Sequence, residues 1–367
     1  MTDPVSETAA WDQTAFRARI QEALDAFLDE QAERLAPLGE DAARLLAEAR
    51  AVVSGGKRFR AAFCYWGFHA VAGPSYDDPG GADEAALVRA CAALEILHAS
   101  ALVHDDFMDA SDTRRGRPAT HRGFAAEHGR AGWRGDPGQY GASAAILLGD
   151  LLLSWSDELV RRCGLPLERV VAALDVLDRC RSEVIGGQFL DVSVQARGVA
   201  DVDAAMTVLR YKSAKYSIER PLHIGATLAG GSEEQLRQLS AFGLPLGEAF
   251  QLRDDLLGVF GDPATTGKPA GDDLVEGKRT VLVALALDAA PAADAARLDA
   301  SLGSALSAAE VAELRGIIDS SGAQAQVEQV IGELAARATD ALATADLDPR
   351  ARDVLLELAR AATVRAV

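Results

Sequence analysis

Leu102-Val103-His104-Asp105-Asp106-Phe107-Met108-Asp109 sets three carboxylates into an apolar stretch, with Arg114-Arg115-Gly116 close behind. Far along the chain, Phe250-Gln251-Leu252-Arg253-Asp254-Asp255-Leu256-Leu257 repeats the Asp-Asp pair among Leu and Phe. Both lie where helical periodicity dominates. In a helix, positions i and i+4 share a face, so Asp105 and Asp109 point the same way with Asp106 beside them. Unpaired carboxylates are costly to bury, and like charges about 4 Å apart repel by about 4 kcal/mol at an effective dielectric near 20. Two such faces turned toward each other demand cations. Oxygen ligands suit hard divalent ions, and Mg2+ is usually shared between one or two carboxylates and a substrate's phosphates. The pattern points to a metal-diphosphate site. An EF-hand is excluded because its Asp-x-Asp-x-Asp-Gly spacing is absent. The bland alternative, a solvated acidic helix face, is weakened by apolar Ala99, Ala101 to Val103 and Phe107-Met108.

The rest of the composition narrows the class. The chain has 367 residues, 49% of them hydrophobic and 25% charged, ample for a sizeable core. Sparse aromatics and heavy Ala and Leu usage favour helices over sheets. A net charge of −18 argues against general nucleic-acid binding and against an anionic membrane surface. Cys64, Cys91, Cys163 and Cys180 are scattered without a C-x-x-C pair, and the N-terminus shows no secretory pattern. Buried free thiols in a reducing cytoplasm are expected, rather than disulfides or a zinc site. No run of about 18 uninterrupted apolar residues is present, so no transmembrane segment is expected.

No convincing strand alternation is found, which predicts an all-α protein: a single large helical domain over 1–367, with a motif-bearing core at about 50–280. Helices are expected at Thr14 to Leu35, about Asp41 to Val53, Phe59 to Val71, Glu84 to roughly Asp109, Ala142–Arg162, Leu167–Ser193, Asp203–Leu228 and Glu233 to Val259. From Thr280 onward, three or four further helical pieces are expected. Phe16, Ile20, Leu24, Phe27 and Leu28 form the apolar stripe of the first. Gly73 to Ala82, Gly129 to Gly141 and Gly261 to Lys278 read as loops.

Basic residues are few enough to look purposeful. Gly55-Gly56-Lys57-Arg58-Phe59-Arg60 sits at a helix start, where backbone N–H groups and the dipole favour anions. Arg114 and Arg115 carry guanidinium forks suited to phosphate oxygens. Lys212, Lys268 and Lys278 add further cations. In order, the chain reads GGKRFR, EILH, DDFMD, RRG, GQFLD, YKSA, FQLRDD, GKPAGDDL and EGKRT. This series resembles the trans-isoprenyl diphosphate synthases, the polyprenyl synthetase family, and in particular the bacterial geranylgeranyl diphosphate synthases.

The resemblance implies a helical bundle around a deep central cavity, a homodimer, and Mg2+-dependent head-to-tail condensation of isopentenyl diphosphate with an allylic diphosphate. It assigns Lys57, Arg60, His98 and Arg115 to the isopentenyl diphosphate site. Asp105, Asp106, Asp109 and Asp254, with Asp255 nearby, match the metal ligands, for about three Mg2+ ions by charge balance. Arg114, Lys212 and Lys268 match contacts to the allylic diphosphate, and Ser213, Gln251 and Lys278 join the substrate-binding set. Gln188 and Asp191 match a GQxxD element that places Gln188 near the reacting carbons. Lys212-Ser213 stands where the family shows Lys-Thr. Gly258 replaces the last Asp of the second DDxxD motif. Two rivals remain: a non-catalytic partner subunit, which would lack intact acidic motifs, and a terpene cyclase, which would have no task for Lys57, Arg60 and Arg115.

Product length is read from the helix before Asp105. The family resemblance makes the residue five before that Asp a floor of the product tunnel. Here it is Ser100, with Ala101 beside it, so the upper floor is open. Leu97, about 4.5 Å deeper along the helix, becomes the next floor. A C20 product, geranylgeranyl diphosphate, is expected, with farnesyl or longer products as the alternative. The bland reading is that Ser100 only allows close helix packing.

Overall fold

The computed structural model describes residues 11–73, 82–198, 200–261 and 271–363. Its helices are α1 (Gln13–Leu35), α2 (Glu40–Val53), α3 (Phe59–Ala72), α4 (Ala82–Met108), α5 (Thr120–Ala131), α6 (Pro137–Arg161), α7 (Leu167–Arg197) and α8 (Val202–Val208). A π-helix follows (Leu209–Glu219), then α9 (Arg220–Leu228), α10 (Glu233–Phe260), α11 (Asp272–Glu276), α12 (Val281–Ala289), α13 (Ala292–Ser301), α14 (Ala308–Ser320), α15 (Ala323–Ala343) and α16 (Pro349–Thr363). The all-α expectation holds. Among the described residues, the one departure is a two-residue hairpin, β1 (Thr113–Arg114) with β2 (Arg117–Pro118), too short to show alternation in sequence.

Local chemistry explains the ends. Asp12 caps α1 by accepting from Thr14 and Ala15, both at 2.9 Å, and the expected Phe16–Leu28 stripe is buried. Ser232 and Gln235 form a capping box at the start of α10. The expected loop at 129–141 is corrected: α5 runs on to Ala131 and α6 starts at Pro137, which leaves a short connection. Asp136 caps α6 through the N–H of Gln139 at 2.7 Å, with Pro137 in the first turn, where its missing N–H costs nothing. The glycines at 129, 138 and 141 sit inside helices whose exposed or closely packed faces tolerate them. Among the described residues, the segment after Thr280 makes five helices rather than three or four, and α11 interrupts the expected loop at 261–278.

Helix α4 is the axis of the molecule. It packs on α6, α1 and α3 and is buried almost throughout. By length and composition, Asp83–Met108 could cross a membrane, but 78% of its most apolar window is buried inside the protein, as in a core helix. One apolar cluster surrounds α3, α4, α6, α7 and α9; a second lies under α12, α14 and the start of α15. Helix α10 and the π-helix contribute to both clusters and join them. All four cysteines are buried free thiols, and burial pushes the Cys180 thiol up to about 12.

Candidate active site

The first acidic face forms at the end of α4. Asp105 and Asp106 occupy its last turn, and Asp109 follows with its N–H on the Asp105 carbonyl at 2.8 Å. Ala110, at φ 55°, ends the helix, and the chain turns into the hairpin. Arg115 and Gly116 form the hairpin turn at φ 53° and 73°. This left-handed pair reverses the strand. As a result the two arginines diverge. Arg114 folds back, its Nε 2.8 Å from Asp106 Oδ1 and its guanidinium 3.8 Å from Asp105. Arg115 reaches the GGKR loop and donates to the Ser54 carbonyl at 2.9 Å.

That loop divides its own cations. Arg58 adopts φ 56° and turns inward to Glu95 at 3.2 Å and the Val53 carbonyl at 2.6 Å. It is structural, and it leaves Lys57 exposed on the loop while Arg60 projects from the first turn of α3. Arg60 lies 4.4 Å over the Tyr216 ring and donates to Ser217 at 2.8 Å. Its Nε is buried and has no hydrogen-bond partner among the described residues. His98 Nδ1 is 3.2 Å from the Tyr216 hydroxyl. Burial, reinforced by Arg60 and Arg115, holds the His98 imidazole well below its ordinary range, so it is neutral near pH 7. Arg60, His98 and Arg115 thus lie close enough to act on one another electrostatically.

On the other side, the π-helix brings Lys212 to Asp105 at 3.2 Å and Asp191 at 2.6 Å. The approach is possible because residue 187 is Gly: a Cβ there would lie 2.6 Å from the Tyr211 carbonyl carbon. Gln188, one residue on, donates to Asp105 at 3.0 Å. Burial alone would raise the Asp105 carboxyl, but Lys212, Lys278 and Arg114 outweigh it and hold it at about 2. Ser213 follows Lys212 on the same π-helix.

The second acidic face lies on α10. Asp255 is buried and accepts from Gln251 at 2.8 Å. Burial, then the nearby charge of Asp273, pushes its carboxyl up to about 8. Arg253 points the other way and anchors α10 to Glu328 and the Thr363 carbonyl, at 2.6 and 3.1 Å. Lys278 joins the first face to α11, 3.7 Å from Asp109, 3.4 Å from Asp273 and 2.5 Å from Glu276. Asp273 and Glu276 have no role in the sequence reading, although GKPAGDDL and EGKRT contain them. The acidic start of α11 is the signal that could have found them. Lys268 lies outside the described residues.

Asp109 fits a metal ligand. Its Oδ2 is buried and accepts no hydrogen bond among the described residues. Burial and the charge of Asp105 raise its carboxyl to about 6. Among the described residues no three acids close on a single point, so the arrangement is two open faces rather than a finished cage. Such faces suit Mg2+ ions that take their remaining ligands from substrate phosphates and water. The residues expected to floor a product tunnel sit in the core: Leu97 is buried, Ala101 half-buried, and Ser100 is buried with its hydroxyl donating to the Gly149 carbonyl of α6 at 2.7 Å. That bond is the helix-packing role.

Comparison with known proteins agrees with this geometry. Residues 43–318 match the family model for polyprenyl synthetase. A short chain isoprenyl diphosphate synthase of Methanothermobacter thermautotrophicus is 35% identical over 260 residues, 71% of this chain and 72% of the relative. A nonaprenyl diphosphate synthase of Mycobacterium tuberculosis is 31% identical over 292 residues, 79% of this chain and 77% of the relative. Among solved structures, a geranylgeranyl pyrophosphate synthase from Corynebacterium glutamicum, complexed with isoprenyl diphosphate and magnesium, superposes with a TM-score of 0.93. It is 40% identical, with 97% of this chain and 100% of that one covered.

Proposed function

The chain belongs to the polyprenyl synthetase family and is a trans-prenyltransferase, and on that premise we propose that it condenses isopentenyl diphosphate with an allylic diphosphate to give mainly geranylgeranyl diphosphate. The observation that carries the reading is the pair of acidic faces, on α4 and α10, with Lys278 joining the first of them to α11 and two separate groups of cations nearby.

Each group has a task. Asp105, Asp106, Asp109, Asp254 and Asp255 would hold Mg2+, which neutralises the leaving diphosphate as the allylic C1–O bond ionises. Arg114 and Lys212, with Lys268 and Lys278, bind the same diphosphate. Lys57, Arg60, His98 and Arg115 bind the diphosphate of isopentenyl diphosphate. Neutral His98 donates or accepts a hydrogen bond without adding charge. Gln188, fixed on Asp105, orients the reacting end of the primer. The two cationic groups, one per diphosphate, favour chain elongation over cyclisation, and the intact acids favour an active enzyme over a non-catalytic partner.

The C20 assignment rests on the small side chain at Ser100 and on Leu97 one layer deeper. A homodimer in the cytoplasm is the proposed working form, and Ile146, Leu147, Ile185 and Phe189 are apolar side chains exposed on α6 and α7 that a second copy could cover. The test is direct. Purified protein is incubated with Mg2+, isopentenyl diphosphate and each of dimethylallyl, geranyl and farnesyl diphosphate, and the hydrolysed products are sized. A C20 alcohol from all three primers supports the proposal. Absence of any condensation would end it, and a C30 or longer product would remove Leu97 as the floor.

A further inference from the structure

The second acidic motif ends at Gly258, one helical turn beyond Asp254, where the family pattern carries a third Asp. The structure fills that position from elsewhere. A Cβ on Gly258 would lie 2.5 Å from the carboxyl carbon of Asp273 and 3.0 Å from its Oδ1. Asp273 belongs to α11, so its carboxylate occupies the room that a side chain at 258 would need. The fit is not accidental contact by a loose side chain. Asp273 has a short stem, and its carbonyl accepts from the Lys278 N–H at 2.9 Å. Leu274 beside it is fully buried, and the Gly303 N–H donates to the Leu274 carbonyl at 3.0 Å. Ser111 at the end of the first acidic face holds Glu276 at 2.8 Å. Helix α11 is therefore pinned at both sides, and Asp273 cannot retreat without moving Lys278.

We infer that Asp273 supplies the third carboxylate of the second acidic face from across the site, and that Gly258 is side-chain-free to admit it. Positions 254 and 258 share one face of α10, so a carboxylate seated on Gly258 stands in line with Asp254. Asp273 is thus a positioning residue: it sets Lys278, 3.4 Å away, beside Asp109 of the first face and adds negative charge on the side where Mg2+ is needed. This inference rests on the Mg2+-diphosphate reading of the site.

The test is a charge relocation read by binding as well as activity. Calorimetric titration of inorganic pyrophosphate at varied Mg2+ is performed on wild type, Asp273→Asn, Gly258→Asp, and the double variant Gly258→Asp/Asp273→Gly. Circular dichroism melts check that each folds. Asp273→Asn should raise the Mg2+ concentration needed for half-maximal pyrophosphate binding by about tenfold, the scale for losing an outer-shell partner. Gly258→Asp, with two carboxylates in one space, should be at least as impaired. The double variant, with the carboxylate moved onto α10, should recover to within about threefold of wild type. An Asp273→Asn protein with unchanged Mg2+ dependence overturns the inference, and so does a double variant no better than Gly258→Asp alone. Failure of the underlying reading looks different: wild type itself would bind pyrophosphate without regard to Mg2+.

Discussion

The two acidic faces look alike in sequence and differ in electrostatics. On α4, Asp105 and Asp106 are compensated by protein cations, and Lys212 and Arg114 keep Asp105 ionised down to about pH 2. On α10, Asp255 meets burial and further carboxylates, and its carboxyl rises to about 8. Asp109 lies between, at about 6. On the first face Asp105 and Asp106 are compensated by protein cations, and Asp109 is compensated less completely. On the second, burial and neighbouring carboxylates favour the protonated form of Asp255 until the pH passes about 8. A cation arriving at the α10 side must therefore displace a proton, whereas on the α4 side Lys212 and Arg114 already compensate the ionised carboxylates.

The largest effect should come from removing the acids themselves. Asp105→Ala, Asp106→Ala and Asp254→Ala should each lower kcat by about 10²-fold or more, the scale for losing one electrostatic stabiliser, about 3 kcal/mol. EDTA should abolish activity and added Mg2+ restore it. Steady-state kinetics in metal-depleted buffer decide this: persistent turnover would leave both faces without a catalytic role.

Next come the cations, where the comparison can be sharpened. Lys57→Ala and Arg60→Ala should raise KM for isopentenyl diphosphate by about tenfold and leave KM for the primer little changed, as expected for one charged hydrogen bond lost. Lys212→Ala should instead impair the primer and kcat. Initial rates with each substrate varied in turn test the split. Equal shifts in both constants for all three variants would merge the two groups into one.

A smaller effect concerns pH. Asp109 and Asp255 have folded-state carboxyls above the ordinary carboxylate range, so ionising them destabilises the metal-free fold. That loss begins as pH rises through about 4 and is complete only above about 6 for Asp109 and about 8 for Asp255. Mg2+ with pyrophosphate should cancel it. The ligand-induced rise in Tm should therefore be greater at pH 8.5 than at pH 5.5 by about 2 °C or more. Thermal melts at the two pH values, with and without ligand, would show no such difference if the α10 side were already neutralised by protein groups.

The smallest effects concern Ser100. Ser100→Ala removes only the bond to Gly149 and should cost about 1 kcal/mol in stability with the product unchanged. Ser100→Phe should shorten the main product to C15, although a bulky ring at this buried contact with α6 should also destabilise by about 1–3 kcal/mol. Leu97→Ala should lengthen the product beyond C20. Product sizing on folded variants separates tunnel from packing: an active Ser100→Phe enzyme with an unchanged product leaves Ser100 with its hydrogen bond alone.

Much of this was legible in the sequence because helical spacing is a one-dimensional signal. Asp105, Asp109 and Asp254 could be placed on faces by counting, and Gln188 and Lys212 by the motifs around them. What escaped depends on contacts that no local window contains. Asp273 and Glu276 reach the site only because α11 folds back onto the end of α4. The separate destinations of Arg58 and Arg60, and of Arg114 and Arg115, follow from left-handed residues at 58 and 115, which side-chain identity does not announce. The run at 129–141 misled because glycine reads as loop, while Asp136-Pro137 was in fact a helix start. The segment from Asp203 to Leu228 kept a helical pattern throughout, so its change to π geometry was invisible.

That change of geometry has a consequence for how the chain can vary. In a π-helix the hydrogen bonds run to the fifth residue, so each residue turns through a smaller angle than in an α-helix. Across Leu209–Glu219 the lag accumulates, and α9 emerges rotated relative to α8 as though the chain carried a surplus residue. Lys212 and Tyr216 owe their directions to this phase lag, one toward Asp105 and the other toward His98. Deleting one residue between them would let the segment relax to ordinary α geometry, yet point the two side chains away from Asp105 and His98. Length here is constrained as tightly as composition: even a deletion that removes none of the contacting side chains should misdirect Lys212 and Tyr216.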